Sequence, residues 1–160
     1  MNKTIFITGA AKRIGKEIAL TFKELGWNII IHYNSSKEAA DDLAAEINNS
    51  NANSAVTVQG NLDVKEDVEK IISVVLDAFP SIDLLINNAS TFYPTPIDDI
   101  SEDHWEKLIG SNLKGPMFLI KGLKQKLKES NGSIINITDT NLSKGVANYS
   151  IYSAAKAGLE

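Results

Sequence analysis

Two hydrophobic periodicities alternate along this chain, and that alternation restricts the fold more than any single residue does. Short apolar, often β-branched runs recur at Lys3–Thr8 (KTIFIT), Asn28–Tyr33 (NIIIHY), Ala55–Gln59 (AVTVQ), Asp83–Asn87 (DLLIN) and Ser133–Thr138 (SIINIT). Each reads as a strand, and the unbroken apolar stretch of NIIIHY suits one covered on both faces. Between them, apolar residues recur at helical spacing. Ile14, Ile18, Phe22 and Leu25 form one stripe within Arg13–Leu25, stopped by Gly26. Ala39, Ala40, Leu43, Ala44 and Ile47 form a second, capped by Ser35 or Ser36. Val64, Val68, Ile71, Ile72, Val75, Leu76 and Phe79 form a third, which Pro80 ends. After a loop rich in Pro, Ser and Thr (Asn88–Ile100), a helical stretch starts at Ser101 and runs through Trp105 and Leu108 to a break at Gly115–Pro116. Met117, Ile120, Leu123 and Leu127 predict the buried side of the next helix, and Tyr149–Glu160 begins a last one. Asn48–Ser54 reads as a polar turn and Asp139–Asn148 as a loop. Strands alternating with crossover helices predict an α/β fold, a doubly wound parallel sheet with helices on both faces. Ligands of such sheets bind at the carboxyl ends of the strands, near the switch in strand order. The loops after Thr8, Tyr33, Gln59, Asn87 and Thr138 are therefore the places to look for chemistry.

Composition removes several function classes. The chain's 160 residues make one domain, residues 1–160, with the 43% hydrophobic and 22% charged balance of a globular protein. Cysteine is absent, which excludes a disulfide scaffold, a thiolate metal site and a thiol nucleophile. His32 and His104 stand apart, without metal-ligand spacing, so no metal site is expected and both read as packed or surface residues. A net charge of −4 argues against a broad nucleic-acid surface, and the lysines of Lys121–Lys128 read as a solvated helix face. No apolar run reaches the ~20 residues of a membrane span. Met1–Thr8 lacks the length and cleavage site of a secretory signal, so a reduced, cytoplasmic setting is expected.

The first loop, Thr8 to Gly15 (TGAAKRIG), joins a strand to a helix. Gly9 permits a tight turn, Ala10 and Ala11 stay small, and Gly15 lets helix and strand approach, so helix-start amides could receive a diphosphate. A plain strand-to-helix turn would use the same residues. After the second strand, nicotinamide sites that hold free ribose hydroxyls carry an acid. Here stand Asn34, Ser35, Ser36 and Lys37, with Arg13 within reach, which favours a 2′-phosphate and hence NADP; the serines could equally only cap the helix. Asn87-Asn88-Ala89-Ser90 ends the fourth strand and leads into Phe92 and Tyr93, which could stack a flat ring or plug the loop. Tyr152 and Lys156 lie four apart on a helix, on one face, where an ammonium would lower the phenol pKa. Asp139, just after the fifth strand, could be a cap, a solvated acid or a catalytic group. Asn112, mid-helix, could bend the helix and bind water or merely face solvent.

Together these segments resemble the short-chain dehydrogenase/reductase family over essentially all 160 residues: TGAAKRIG, the NNA of Asn87–Ala89, Ser111-Asn112, and YSAAK from Tyr152 to Lys156. Within it the chain most resembles pteridine reductases, including the dihydropteridine (dihydromonapterin) branch. Arg13 stands where the family usually has glycine, NNASTFYPTP resembles the pteridine reductase substrate loop, and Asp139 occupies the usual place of a catalytic serine.

The resemblance implies a Rossmann-type fold, truncated after the fifth strand and the start of the following helix, and an NADP(H)-dependent oxidoreductase that reduces a dihydropteridine to its tetrahydro form. Dihydrofolate would be a secondary substrate. Tyr152 would protonate the substrate, and Lys156 would hold the nicotinamide ribose and lower the Tyr152 pKa. Asp139 would bond Tyr152 and relay the proton, and Asn112 would support a water path to Lys156. Phe92 would stack the pterin on the nicotinamide, and Ser90 and Arg13 would contact pterin and cofactor phosphate. Gly9, Lys12, Arg13, Ile14, Gly15, Asn34, Ser35, Ser36, Asn61, Leu62, Asn88, Ala89 and Ser90 would line the cofactor. Two positions depart from pattern: Asn61 replaces an aspartate near the adenine, and Ser35 an arginine common in pteridine reductases. The alternatives are a short-chain carbonyl reductase, such as a 3-oxoacyl-carrier-protein reductase, and a nucleotide-binding module without turnover. Because family members run to about 250 residues, a single-domain size, and the last helix lacks a stop signal before Glu160, the chain is expected to be an incomplete and by itself inactive portion. The full-length protein would be a homodimer or homotetramer.

Overall fold

The computed structural model describes residues 2–142 and 144–160. Strands β1 (Thr4–Ile7), β2 (Asn28–Tyr33), β3 (Ala55–Gln59), β4 (Leu84–Asn87) and β5 (Ser133–Asn136) form one sheet in the order β3-β2-β1-β4-β5. Every pairing is parallel, with Phe6 opposite Ile30 on one side and Leu85 on the other. Helices α1 (Arg13–Glu24), α2 (Lys37–Ser50), α3 (Lys65–Ala78), α4 (Glu102–Ile109), α5 (Gly115–Glu129) and α6 (Ser150–Leu159) make the crossovers and the final segment.

Strand side chains alternate between faces, so successive isoleucines serve different cores. Ile5, Ile7, Ile29 and Ile31 pack against Ala19 of α1 and Ala40, Leu43 and Ile47 of α2. Phe6, Ile30 and Leu85 face the other way, against Val68, Ile71 and Val75 of α3 and Leu119, Leu123 and Leu127 of α5. The expected doubly wound sheet is therefore present, and its strand order reverses between β1 and β4. There the neighbouring crossovers leave on opposite faces and open a crevice at the strand ends.

Several local expectations are corrected. Helix α2 continues to Ser50, into the stretch read as a turn. Asn48 exchanges bonds with Ala55, donating to its carbonyl at 3.0 Å and accepting its amide at 2.9 Å, so the helix end is tied directly to β3. Met117 is exposed; the buried face of α5 runs one notch around, through Leu119, Leu123 and Leu127. Ile14 and Leu25, read as core residues of α1, are also exposed. Gly115–Pro116 opens the next helix as expected, with Pro116 in the first turn of α5, where its missing amide is not needed. The ladder loosens just before it, in a π-helical turn over Gly110–Lys114. A Cβ at Gly110 would stand 2.7 Å from the Asp63 Cβ, and one at Gly115 2.7 Å from the Leu62 carbonyl, so glycine lets this turn press on the loop after β3.

Among the described residues no helix is long and apolar enough to cross a membrane, and no group of three His, Asp or Glu side chains could hold a metal ion.

Candidate active site

The crevice is a cavity of about 560 Å³. Its first wall is the turn after β1. Gly9 takes φ +63°, and a Cβ there would stand 3.0 Å from the Ala89 Cα. A Cβ on Gly15 would lie 2.4 Å from the Gly9 carbonyl, a contact that only glycine avoids. Asn88 stitches this turn to β4: its Nδ2 donates to the carbonyls of Thr8 (2.8 Å) and Gly9 (3.2 Å). Thr8 Oγ1 accepts the amides of Asn88 (2.9 Å) and Ala89 (3.0 Å) in return. Arg13 opens α1 at φ +55°, a left-handed conformation that costs an L residue about 1–2 kcal/mol. No acidic residue occupies the first turn of α1, so the helix start and the Lys12 and Arg13 side chains at the cavity present uncancelled positive charge.

Gly9, Lys12, Arg13, Ile14, Gly15, Asn34, Asn61, Leu62, Asn88, Ala89, Ser90, Phe92, Tyr152 and Lys156 all line the cavity. This explains the exposure of Ile14, which faces the cleft rather than the core. Ser35 and Ser36 do not line it. Ser36 precedes α2 as its cap residue but makes no side-chain capping bond, and Lys37 turns outward to pair with Asp41 one helical turn on. The positive charge at this end comes instead from Lys12 and Arg13.

The other end gathers side chains from separate segments. Tyr152 Oη donates to Asp139 Oδ2 at 2.9 Å. Asp139 Oδ1 accepts the Asn141 amide at 2.8 Å and its Nδ2 at 3.1 Å. The carboxylate lines not the main cavity but an adjoining recess with Thr138, Thr140, Leu142, Ala157 and Glu160. Lys156 is buried and donates to the Ile137 carbonyl at 2.8 Å. Asn112, fully buried in the π-helical turn, lies off the cavity wall. Its Oδ1 accepts from Ser90 Oγ at 2.8 Å, and its Nδ2 donates to the carbonyls of Thr91 (2.9 Å) and Leu108 (3.0 Å). These bonds brace the Ser90 loop against the π-helical turn. Phe92 is 55% exposed, stacks face to face on Tyr149 (4.4 Å, 13°) and sits edge-on to Tyr152 (4.8 Å, 74°). Of the two readings of Tyr93, a stacking ring or a loop plug, the packing fits the plug: it lies against Leu108, Ile151 and Tyr152.

The chain matches the short chain dehydrogenase family over residues 3–160. It belongs to that family. It is 37% identical over 154 residues to the 3-oxoacyl-[acyl-carrier-protein] reductase of Synechocystis sp., a match covering 96% of this chain and 62% of that protein. It is 34% identical over 160 residues to 3-oxoacyl-[acyl-carrier-protein] reductase FabG of Staphylococcus epidermidis, covering 99% and 65%. It is 31% identical over 161 residues to the short chain dehydrogenase/reductase astE of Aspergillus oryzae, covering 98% and 61%. The chain thus spans less than two thirds of the length of these relatives.

Electrostatics correct one expectation about this short-chain dehydrogenase. Lys156 was expected to lower the Tyr152 pKa, yet the phenol is pushed up to about 12, first by burial and then by its bond to the Asp139 carboxylate, with Ser90 opposing. Asp139 is held below the usual carboxylate range by the Asn141 amide and the Tyr152 hydroxyl. At neutral pH the pair is therefore a protonated phenol bonded to an ionised carboxylate. Burial lowers the Lys156 ammonium, and Asp139 partly offsets the shift.

His32, Asp63, Thr91, Ser111, Ile137 and Thr138 also line the cavity and were not expected there. Tyr149, the partner of Phe92, was likewise overlooked. Its signal was its place three residues before Tyr152, at the cap of the same helix.

Proposed function

We propose that this short-chain dehydrogenase is an NADPH-dependent reductase of a dihydropteridine, forming the tetrahydro product, with dihydrofolate as a secondary substrate. The observation that carries this is the Tyr152–Asp139 bond: a carboxylate, where the family resemblance leads one to expect serine, holds the phenol that lines the cavity. Reduction of a ketone develops an alkoxide, for which a neutral hydroxyl donor suffices. A dihydropterin presents instead a ring imine nitrogen to be protonated, and an ionised carboxylate bonded to the phenol orients that donor through a charge-assisted bond. The low pKa of Asp139 makes it the acceptor rather than the acid, so the proton leaves from Tyr152 Oη. Phe92 stacks on Tyr149 and stays half exposed at the cavity, which suits stacking of a flat ring.

The residues present fit a phosphorylated dinucleotide. Gly9 and Gly15 form a cradle that a Cβ would fill, and Lys12 and Arg13 supply the cations. Asn34, not an acid, stands at the cavity after β2, which suits a 2′-phosphate. When bound, NADPH supplies the hydride. The chain's own groups orient it and deliver the proton, with buried Lys156 beside Tyr152 on α6.

A second reading is reduction of a 3-oxoacyl thioester, which the names of the relatives favour over pterin reduction. NADPH oxidation by the full-length protein separates the two. Dihydrobiopterin, dihydromonapterin and dihydrofolate should be turned over, and acetoacetyl thioester much more slowly. Thioester reduction without pterin reduction would establish the second reading instead.

A further inference from the structure

We propose that His32 is a positioning residue for the dinucleotide: its imidazole sets the turn after β1 against the loop after β3. The inference rests on the assignment of the cleft as a dinucleotide site and adds to it a residue outside the motifs. His32 is the penultimate residue of β2, buried, and part of the cavity wall. Its Nδ1 accepts the Gly9 amide at 3.0 Å, and its Nε2 lies 3.0 Å from the Gly60 carbonyl. These partners follow β1 and β3, the strands on either side of β2, so one ring spans the carboxyl edge of this half of the sheet. The backbone repeats the tie: the Ala10 amide donates to the His32 carbonyl at 2.8 Å, and the Gly60 amide to the Tyr33 carbonyl at 3.1 Å.

The tautomer follows from donor chemistry. A peptide N–H can only donate, so Nδ1 must be bare and the proton must sit on Nε2, where it reaches the Gly60 carbonyl. A neutral imidazole offers an acceptor and a donor at this spacing, and a hydrocarbon ring of similar size offers neither. The arrangement also consumes the first two amides of the turn, those of Gly9 and Ala10. Anion recognition is thereby left to the start of α1 and to Lys12 and Arg13. On the Gly60 side glycine allows a close approach to α3, since a Cβ there would stand 2.7 Å from Ile71 Cδ1. His32 thus fixes how far the phosphate turn stands from the Asn61–Asp63 loop, both of which line the cleft.

The test compares the full-length parent with His32→Phe and His32→Asn. NADPH affinity is read by fluorescence titration, the KM and kcat for NADPH by steady-state kinetics, and the histidine tautomer by nitrogen NMR. His32→Phe keeps the bulk but leaves the Gly9 amide without an acceptor, so Kd and KM for NADPH should rise about tenfold. The kcat at saturating NADPH should change by less than about threefold. His32→Asn, whose side-chain oxygen falls near the place of Nδ1, should recover most of the affinity, and the parent should show the Nε2–H tautomer. An unchanged NADPH Kd in His32→Phe, no rescue by His32→Asn, or an Nδ1–H tautomer would each overturn the proposal while leaving the dinucleotide site standing. If His32→Phe does not fold, the Asn variant and the parent's tautomer decide it. A parent that binds no NADPH would overturn the dinucleotide site itself, and the role of His32 with it.

Discussion

The two ends of the cleft are built by different means. The end formed by β1, β2 and β3 is made of backbone: glycines too crowded to carry a Cβ, carbonyls tied down by Asn88 from the end of β4, and an imidazole clamped between strand ends. The end formed after β4 and β5 is made of side chains from distant segments: Ser90 with Asn112, Asp139 with Tyr152, and Phe92 with Tyr149. The first should bind without reacting. The second should react only when the first has placed the cofactor. Substitutions at the chemical end should therefore reduce turnover and spare NADPH affinity, whereas those at the backbone end should weaken folding and affinity together.

The largest expected effect is at Tyr152. Tyr152→Phe keeps the ring but removes the proton, and kcat should fall about a thousandfold with NADPH affinity kept within about twofold. A parallel loss of affinity, measured by fluorescence titration, would erase the distinction between the two ends. Asp139→Ala should follow, with turnover down roughly a hundredfold. The same variant removes the carboxylate that holds the phenol proton, so the Tyr152 ionisation should move down from about 12, as read by tyrosinate absorbance against Tyr152→Phe.

At the backbone end, Gly15→Ala would put a Cβ 2.4 Å from the Gly9 carbonyl. It should cost about 1–3 kcal/mol in a denaturant titration, and NADPH affinity should fall with it. A further expected effect is a pH slope. Burial lowers the His32 pKa from 6.5 to about 4, so the unfolded chain takes up a proton first as the pH falls. Stability should be unaffected by this group above pH 6.5 and should decline between 6.5 and about 4, by at most about 1.4 kcal/mol per pH unit. His32→Asn should remove that slope, and its persistence would assign the slope to another group.

The same contrast explains what was legible in the sequence. Period-2 and period-3.6 patterns report which face is buried, so the sheet, its helices and the loops at its carboxyl ends could be read directly. Glycine spacing likewise exposed the turn from Gly9 to Gly15, because close approach leaves a residue-type signature. Rotation about a helix was harder to read: Met117 and Leu119 are both apolar two residues apart, and only packing against α3 selects Leu119. Pairings across the chain left no local signature either. Nothing around His32 announces that Gly9 and Gly60 converge on it, and Lys37 looked like a phosphate ligand until Asp41, one turn along, claimed it. The Tyr152 shift is hidden for the same reason: spacing points to Lys156, while the phenol is raised by its burial and then by a bond to Asp139, which lies outside α6.

The most direct test of the chemical end is an Asp139→Ser substitution in the full-length protein, assayed with dihydrobiopterin and acetoacetyl thioester side by side. A carboxylate tuned to a pterin predicts that dihydrobiopterin reduction falls about a hundredfold while thioester reduction holds or rises. Dihydrobiopterin reduction equal to that of the parent would contradict the role of Asp139 in substrate choice and in holding the Tyr152 proton.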